Sequence, residues 1–433
     1  MMEIMSEVLR DSKFEMNSII SDGGQINYIL SAEQREAASG ILESIDFPTT
    51  RDEAWKYTRV AKIKNAQFGI RDSGTIDAVE KYLVPGLEGS RLVFVNGFYR
   101  ADLSVIKEAS GIYVAPLSDG RHQDWSKDYL GAILPLDGEI FHAMNTYYAT
   151  DGVAVHIAKK TAAAESIQVI FIATGDHTFT AARNLIVCED FGSAHIALGF
   201  FSENAEASFS NVVTEIFAGA NSHLSIDKIQ SEDASAYCIS TEQVKQEKDA
   251  TFTINTITLD GGLVRNNLNI AVDGQNAETN LSGAYILGGK QHVDNHTVVD
   301  HKVANCVSNE LYKGVMDGQS TAVFNGKVFV RKDAQKINAF QSNGNVLLSD
   351  NATINSKPEL EIYADDVKCS HGSTTGQLDE EAVFYLRARG LSEKSARALM
   401  VSAFIGDVLA KVENEHVRAF IDRILLEKFG WEF

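Results

Sequence analysis

Apolar and polar residues alternate in short runs through the middle of this chain. IQVIFIA (167–173), NLIVCE (184–189), AHIALGF (194–200), ATFTINTITL (250–259), LVRNNLNIAV (263–272) and TAVFNGKVFV (321–330) are rich in β-branched residues. A period of two buries one face of a strand and wets the other. Turn-forming pairs lie between the runs, among them Asp273-Gly274, Gly288-Gly289 and Asp317-Gly318. Earlier, RLVFVNGFYRADLS (91–104) reads as a hairpin about Asn96-Gly97, a dipeptide that accepts the positive φ of a type I′ turn.

Both ends follow a helical period instead. Ser31 with Gln34 and Thr50 with Glu53 have capping-box spacing. Ala37, Ala38, Ile41 and Leu42 recur as one helix face. Near the other end, residues 380–389 close on Gly390, suited to a left-handed C′ position. Ser392 is placed to cap the next helix. Leu399, Met400, Ala403 and Val408 mark one apolar stripe, and Val417, Phe420, Ile421, Ile424 and Leu425 another.

Proline placement separates the classes. The five prolines stand at 48, 85, 116, 135 and 358, leaving 136–357 without one. Proline removes a ladder donor, so the gap suits continuous β structure, either a sandwich or a β-helix. Short strands uninterrupted by any helix-length pattern favour the solenoid. The expected organisation is an N-terminal helical region (1–90), a hairpin and connecting segment (91–150), a β-helix core (151–366) and a C-terminal helical region (367–433).

Composition narrows the function. Acidic residues outnumber basic ones by 59 to 39, a formal charge of −20, so phosphate backbones are repelled and nucleic acid is not an expected partner. No run approaches the roughly 20 apolar residues of a membrane span, and the N-terminus lacks an apolar signal core, so a cytoplasmic protein is expected. Cys188, Cys238, Cys306 and Cys369 are too scattered for a disulfide framework or a CxxC site. Three of them read as reduced, buried thiols.

Candidate chemistry is sparse. Cys369 and His371 stand two apart, on one side of an extended segment, and both side chains suit iron. Alone, the pair cannot complete a tetrahedral site. His292, Asp294 and His296 would also share one strand face; such a row suits a metal, although it is more commonly a solvated polar face. Trp55 and Tyr57 read as core anchors. Gly283 with Gly289-Lys290-Gln291 misses the phosphate-loop pattern by spacing and by its absent Ser or Thr, so no nucleotide is expected on this chain alone.

Four segments together resemble the SufB/SufD family of iron–sulfur cluster assembly proteins. They are RDEAWKYTRV (51–60), FVNGFYRADLS (94–104), CVSNELYKGVMDGQSTAVFNGKVFV (306–330) and KPELEIYADDVKCSHGSTTGQLDEEAVFYLRARG (357–390). Length and the lack of further N-terminal sequence are closer to the SufD type than to the longer SufB type. Ser373 departs from the alanine usual in the family. The resemblance implies a right-handed parallel β-helix flanked by helical regions. It also implies a non-catalytic scaffold, pairing with a SufB-like subunit through the β-helix and with a SufC-like ATPase through the C-terminal helices. A homodimer is expected to be possible in isolation. On this resemblance His371 faces the SufB-like partner and supplies a ligand to iron or a transient iron–sulfur cluster, with Cys369 beside it. Two other readings stay open: a β-helix polysaccharide lyase or hydrolase, and a SufB-type sulfur acceptor with a persulfide on Cys238 or Cys306.

Overall fold

The alternating runs become strands that wind into a solenoid. In this computed structural model, residues 19–22, 28–71, 74–136 and 138–429 are described. Each turn contributes one strand to each of two sheets, and strands pair in parallel with the strand two further along: Phe209 lies beside Tyr237, and Tyr237 beside Leu263. The result is one sheet of nine strands and one of ten, in about eight turns. The class is therefore mainly β, with helices at both ends.

A repeat that no residue consensus displays is visible in the backbone. Lys160, Phe191, Asn221, Asp249, Asn276, Asn305 and Lys336 all have positive φ, between 57° and 65°, at successive corners. Six of their amides, all but that of Asn276, reach one turn onward, as in Phe191 N–H to Ala220 O (2.8 Å) and Asn221 N–H to Lys248 O (2.9 Å). Asn and Asp tolerate this region better than other side-chain-bearing residues. The repeat thus resides in conformation, and a mixture of residue types conceals it.

Inward-facing residues such as Ile226, Cys238, Ile254, Val264 and Phe324 fill the lumen between the sheets. The outer faces are covered as well, which is why many strands read as continuous apolar runs. Against the ten-stranded sheet lie helices Glu393–Leu409 and Glu415–Phe429, with Val401, Ile405, Phe420 and Ile421 meeting Ile229, Ile257 and Ile286. Against the other sheet lie Trp55, Ile63 and Phe68 and the buried helix Ile140–Tyr148. Several buried charges are paired: Arg183 with Glu215 at 2.6 Å and, in the lumen, Lys228 with Glu242 at 2.7 Å. Glu215 also accepts the amides of Gly131, Ile133 and Leu134, pinning that loop onto the sheet.

Local signals resolve individually. Ser31 and Gln34 form the capping box of helix Ala32–Ser44, and Ser392 caps helix Glu393–Leu409. Asn96 (φ 52°) and Gly97 (φ 80°) make the hairpin turn, and Gly390 (φ 99°) follows helix Glu380–Ala388. Thr50 does not cap: Asp52 precedes a three-residue turn, Glu53–Trp55, and instead takes the Thr49 amide. The last strand, Val367–Gln377, runs past the boundary expected at residue 366, and helix begins only at Glu380.

The two ends of the stack differ. At one, antiparallel strands Phe98–Tyr99 and Ile112–Pro116 finish the two sheets. At the other, strands Thr353–Ile362 and Val367–Gln377 are outermost, with no strand beyond them among the described residues.

Candidate functional site

That second end holds Cys369 and His371. Val367 and Cys369 pack against the lumen core, and the Ser373 hydroxyl donates to Ser356 Oγ at 2.8 Å. His371 belongs to the same alternate row, so it occupies a lumen-facing position. Among the described residues no further turn roofs it, and the imidazole is exposed. Cys369 is half-buried, and burial pushes its thiol above the ordinary value. Ser373, the departure from the family pattern, thus has its partner inside the chain.

Backbone parity defines the edge. In a parallel ladder, alternate residues bond to opposite neighbours. Thr353 N–H donates to Ser320 O (3.0 Å) and Tyr363 N–H to Val330 O (2.9 Å), so odd residues of this strand face back into the sheet. Pro358 falls on the even, free side, where its missing N–H costs no ladder bond. Asn338 N–H donates to Cys306 O (3.0 Å), away from the last strand, which leaves residues 367, 369, 371 and 373 with outward-facing amides and carbonyls. His371 therefore presents both its ring and its backbone at the edge. Exposed Phe340 (47%) stands beside Ser370 on the neighbouring strand Ile337–Leu347, and Ile362 (39%) and Tyr363 (59%) end strand Thr353–Ile362 and its flank.

The second candidate row has a different role. Thr58 Oγ1 donates to Asp294 Oδ2 at 2.5 Å and lies 2.9 Å from His292 Nε2. Arg265 Nη1 donates to Asp294 Oδ2 at 2.6 Å and to Ala54 O at 2.8 Å, its guanidinium 3.8 Å from the Trp55 ring centroid. His296 Nε2 stands 3.0 Å from Asp294 Oδ1. Burial alone would raise the Asp294 carboxyl, but Arg265 and His296 overcome it and hold it below the usual carboxylate range. Burial lowers His292. Neither a solvated face nor an open metal site, the row clamps the N-terminal segment to the solenoid. Trp55 is a core anchor as expected; Tyr57, 41% exposed, is not.

Among the described residues, no three His, Cys, Asp or Glu side chains gather as a metal site. Cys188, Cys238 and Cys306 are buried. The phosphate-loop near miss is no single loop: Gly283 lies within strand Glu278–Leu287, and Gly289-Lys290-Gln291 form the turn after it. No helix among the described residues is long and apolar enough to cross a membrane. The uncovered edge itself escaped sequence reading, although the lone Pro358 after a long proline-free stretch was its one available signal.

Comparison with known proteins gives consistent matches. The model of the SUF system FeS cluster assembly SufBD core domain matches residues 171–404, and that of the SufBD protein N-terminal region matches 24–169. An iron–sulfur cluster assembly SufBD family protein of Synechocystis sp. is 34% identical, over 88% of this chain and 87% of its own length. The iron–sulfur cluster assembly protein SufD of Escherichia coli is 29% identical over 86% of each chain. A chloroplastic protein of Arabidopsis thaliana is 27% identical, over 89% of this chain and 83% of its own.

Proposed function

We propose a function from one premise: the chain belongs to the SufB/SufD family of iron–sulfur cluster assembly proteins. It serves as a SufD-like scaffold subunit without chemistry of its own, and its open solenoid end is the joint to a SufB-like partner. The observation that carries this reading is the uncovered last turn, two strands of 10 and 11 residues bearing an exposed imidazole. Unpaired strand edges recruit another chain, and main-chain bonds supply the affinity.

Iron or the nascent cluster is the cargo built at that joint. His371 supplies one ligand and the partner completes the set, as befits an imidazole with too few ligating neighbours of its own. Cys369 is the lesser candidate, because its half-buried thiol is held protonated more firmly. Exposed Phe384 (71%) and Tyr385 (57%) on helix Glu380–Ala388 offer the surface for a SufC-like ATPase. Cys238 and Cys306, 1% and 0% exposed, argue against a sulfur acceptor within the solenoid.

The test is His371→Ala in a complex co-expressed with SufB-like and SufC-like subunits. The complex is expected to keep its mass while cluster formation falls at least tenfold. Normal cluster formation by that variant would remove His371 from the ligand set.

A further inference from the structure

Away from the open end, a cleft of about 860 Å³ lies between the N-terminal segment, three solenoid corners and the end of the last helix. Its size is that of a small-molecule site, about 300–1,000 Å³. Three features of its lining distinguish it from an accidental gap.

The first is charge. Arg59, Lys62 and Lys290 line the cleft and are exposed, and none of the three makes an ion pair among the described residues. The lining carboxylate, Asp260, is already neutralised by Lys428 and accepts a hydrogen bond from Gln291. Three uncompensated cations thus converge on one cleft of a chain whose formal charge is −20. A concave wall of one sign concentrates ligands of the other.

The second is bare backbone. Gly288 and Gly289 form one wall, and a Cβ built on either meets nothing within 4 Å. A ligand can therefore approach the main chain there without meeting a side chain. The third is apolar surface: Tyr57, Tyr237 and Phe429 line the same cleft and each keeps part of its surface accessible. Inorganic phosphate alone would leave that surface wet, whereas a ring or hydrocarbon portion would cover it.

We infer that this cleft binds a small aromatic phosphate ester, the phosphate held by Arg59, Lys62 and Lys290 and the ring lying against Tyr237. The phosphate-loop pattern describes phosphate binding by a loop between a strand and a helix. This cleft is built differently, from three corners, the segment 57–62 and the end of the last helix, and is assigned binding only. The inference does not rest on the scaffold reading, since the cleft is formed by other residues than the open edge.

Pyridoxal 5′-phosphate is a direct probe. Its aldehyde condenses with a lysine amine, losing water, and borohydride traps the imine as a stable amine. Full-length chain would be labelled briefly, reduced and mapped by mass spectrometry. Lys62 and Lys290 are expected to react at least tenfold faster than exposed Lys332 and Lys394, saturably. Pyridoxal without phosphate should lose that preference. Arg59→Glu should lower labelling of both cleft lysines at least fivefold with the melting temperature retained. Equal rates at all four lysines, indifference to the phosphate, or an unchanged rate in Arg59→Glu would each overturn the inference. Preferential labelling that appears only after residues 430–433 are deleted would also overturn it, assigning the cleft to the chain's own terminus.

Discussion

Arg265→Ala tests how the N-terminal segment is held. The wild-type guanidinium is 3% exposed, donates to Asp294 and to Ala54 O, and stacks over Trp55. Removing it leaves a carboxylate that is 1% exposed with only Thr58 and His296 beside it. Breaking one side of a buried pair costs about 3–5 kcal/mol, and the lost ring contact adds to that. The cost falls on the docking of residues 50–65, so it should appear as local opening: about 3 kcal/mol is roughly a 150-fold larger opening constant. Hydrogen exchange of peptides covering that segment reads it.

The pH dependence has a definite sign. In the wild type, Asp294 is depressed, so its contribution is complete above the unfolded carboxylate value of about 3.9 and is lost as pH falls toward the folded one. In Arg265→Ala, burial, already the largest single influence, loses its strongest opponent, so the carboxyl rises from its depressed position. The defect should then be largest near neutrality and shrink as acidification neutralises Asp294. Exchange in 50–65 within threefold of wild type, or a defect that grows on acidification, would refute the clamp.

Other consequences are as direct. Glu361→Pro deletes an amide that faces the neighbouring strand and should destabilise the last turns by about 3 kcal/mol, whereas Ile362→Pro deletes an edge-facing one and should leave thermal stability nearly unchanged while weakening partner binding. Equal losses of melting temperature in the two variants would contradict the assigned parity. Phe384→Ser with Tyr385→Ser should leave stability within about 0.5 kcal/mol, as exposed substitutions do, and lower the affinity for a SufC-like ATPase at least tenfold in a titration. Unchanged affinity would move that surface elsewhere.

Much of this architecture was legible because period and punctuation survive burial. The alternation in 250–272 and the Asn96-Gly97 turn needed no tertiary context, and the caps at Ser31 and Ser392 are local hydrogen bonds. What stayed hidden depends on contacts across long separations. Asp294 looked like a ligand row because Thr58, 236 residues away, is what occupies it. Tyr57 looked like Trp55, yet only Trp55 meets Arg265 and Phe141. The boundary near residue 366 was misplaced because Ser-His-Gly-Ser-Thr-Thr-Gly lacks the apolar alternation of earlier strands. That lack has a physical cause: an end strand has no further turn to bury its side chains against. The pair Cys369 and His371 was visible as chemistry, but its position at an uncovered edge became apparent only once every strand was paired.

A last turn that serves as a joint is completed by a second solenoid, whose edge strand covers its outward-facing amides. Hydrogen exchange of residues 353–377, measured with and without a co-purified SufB-like subunit, tests it most directly. Pairing should slow exchange at outward-facing amides, among them His371 and Ser373, by at least tenfold, with little change at the inward-facing ones. A complex of the expected mass in which those amides exchange as fast as in the free chain would contradict it.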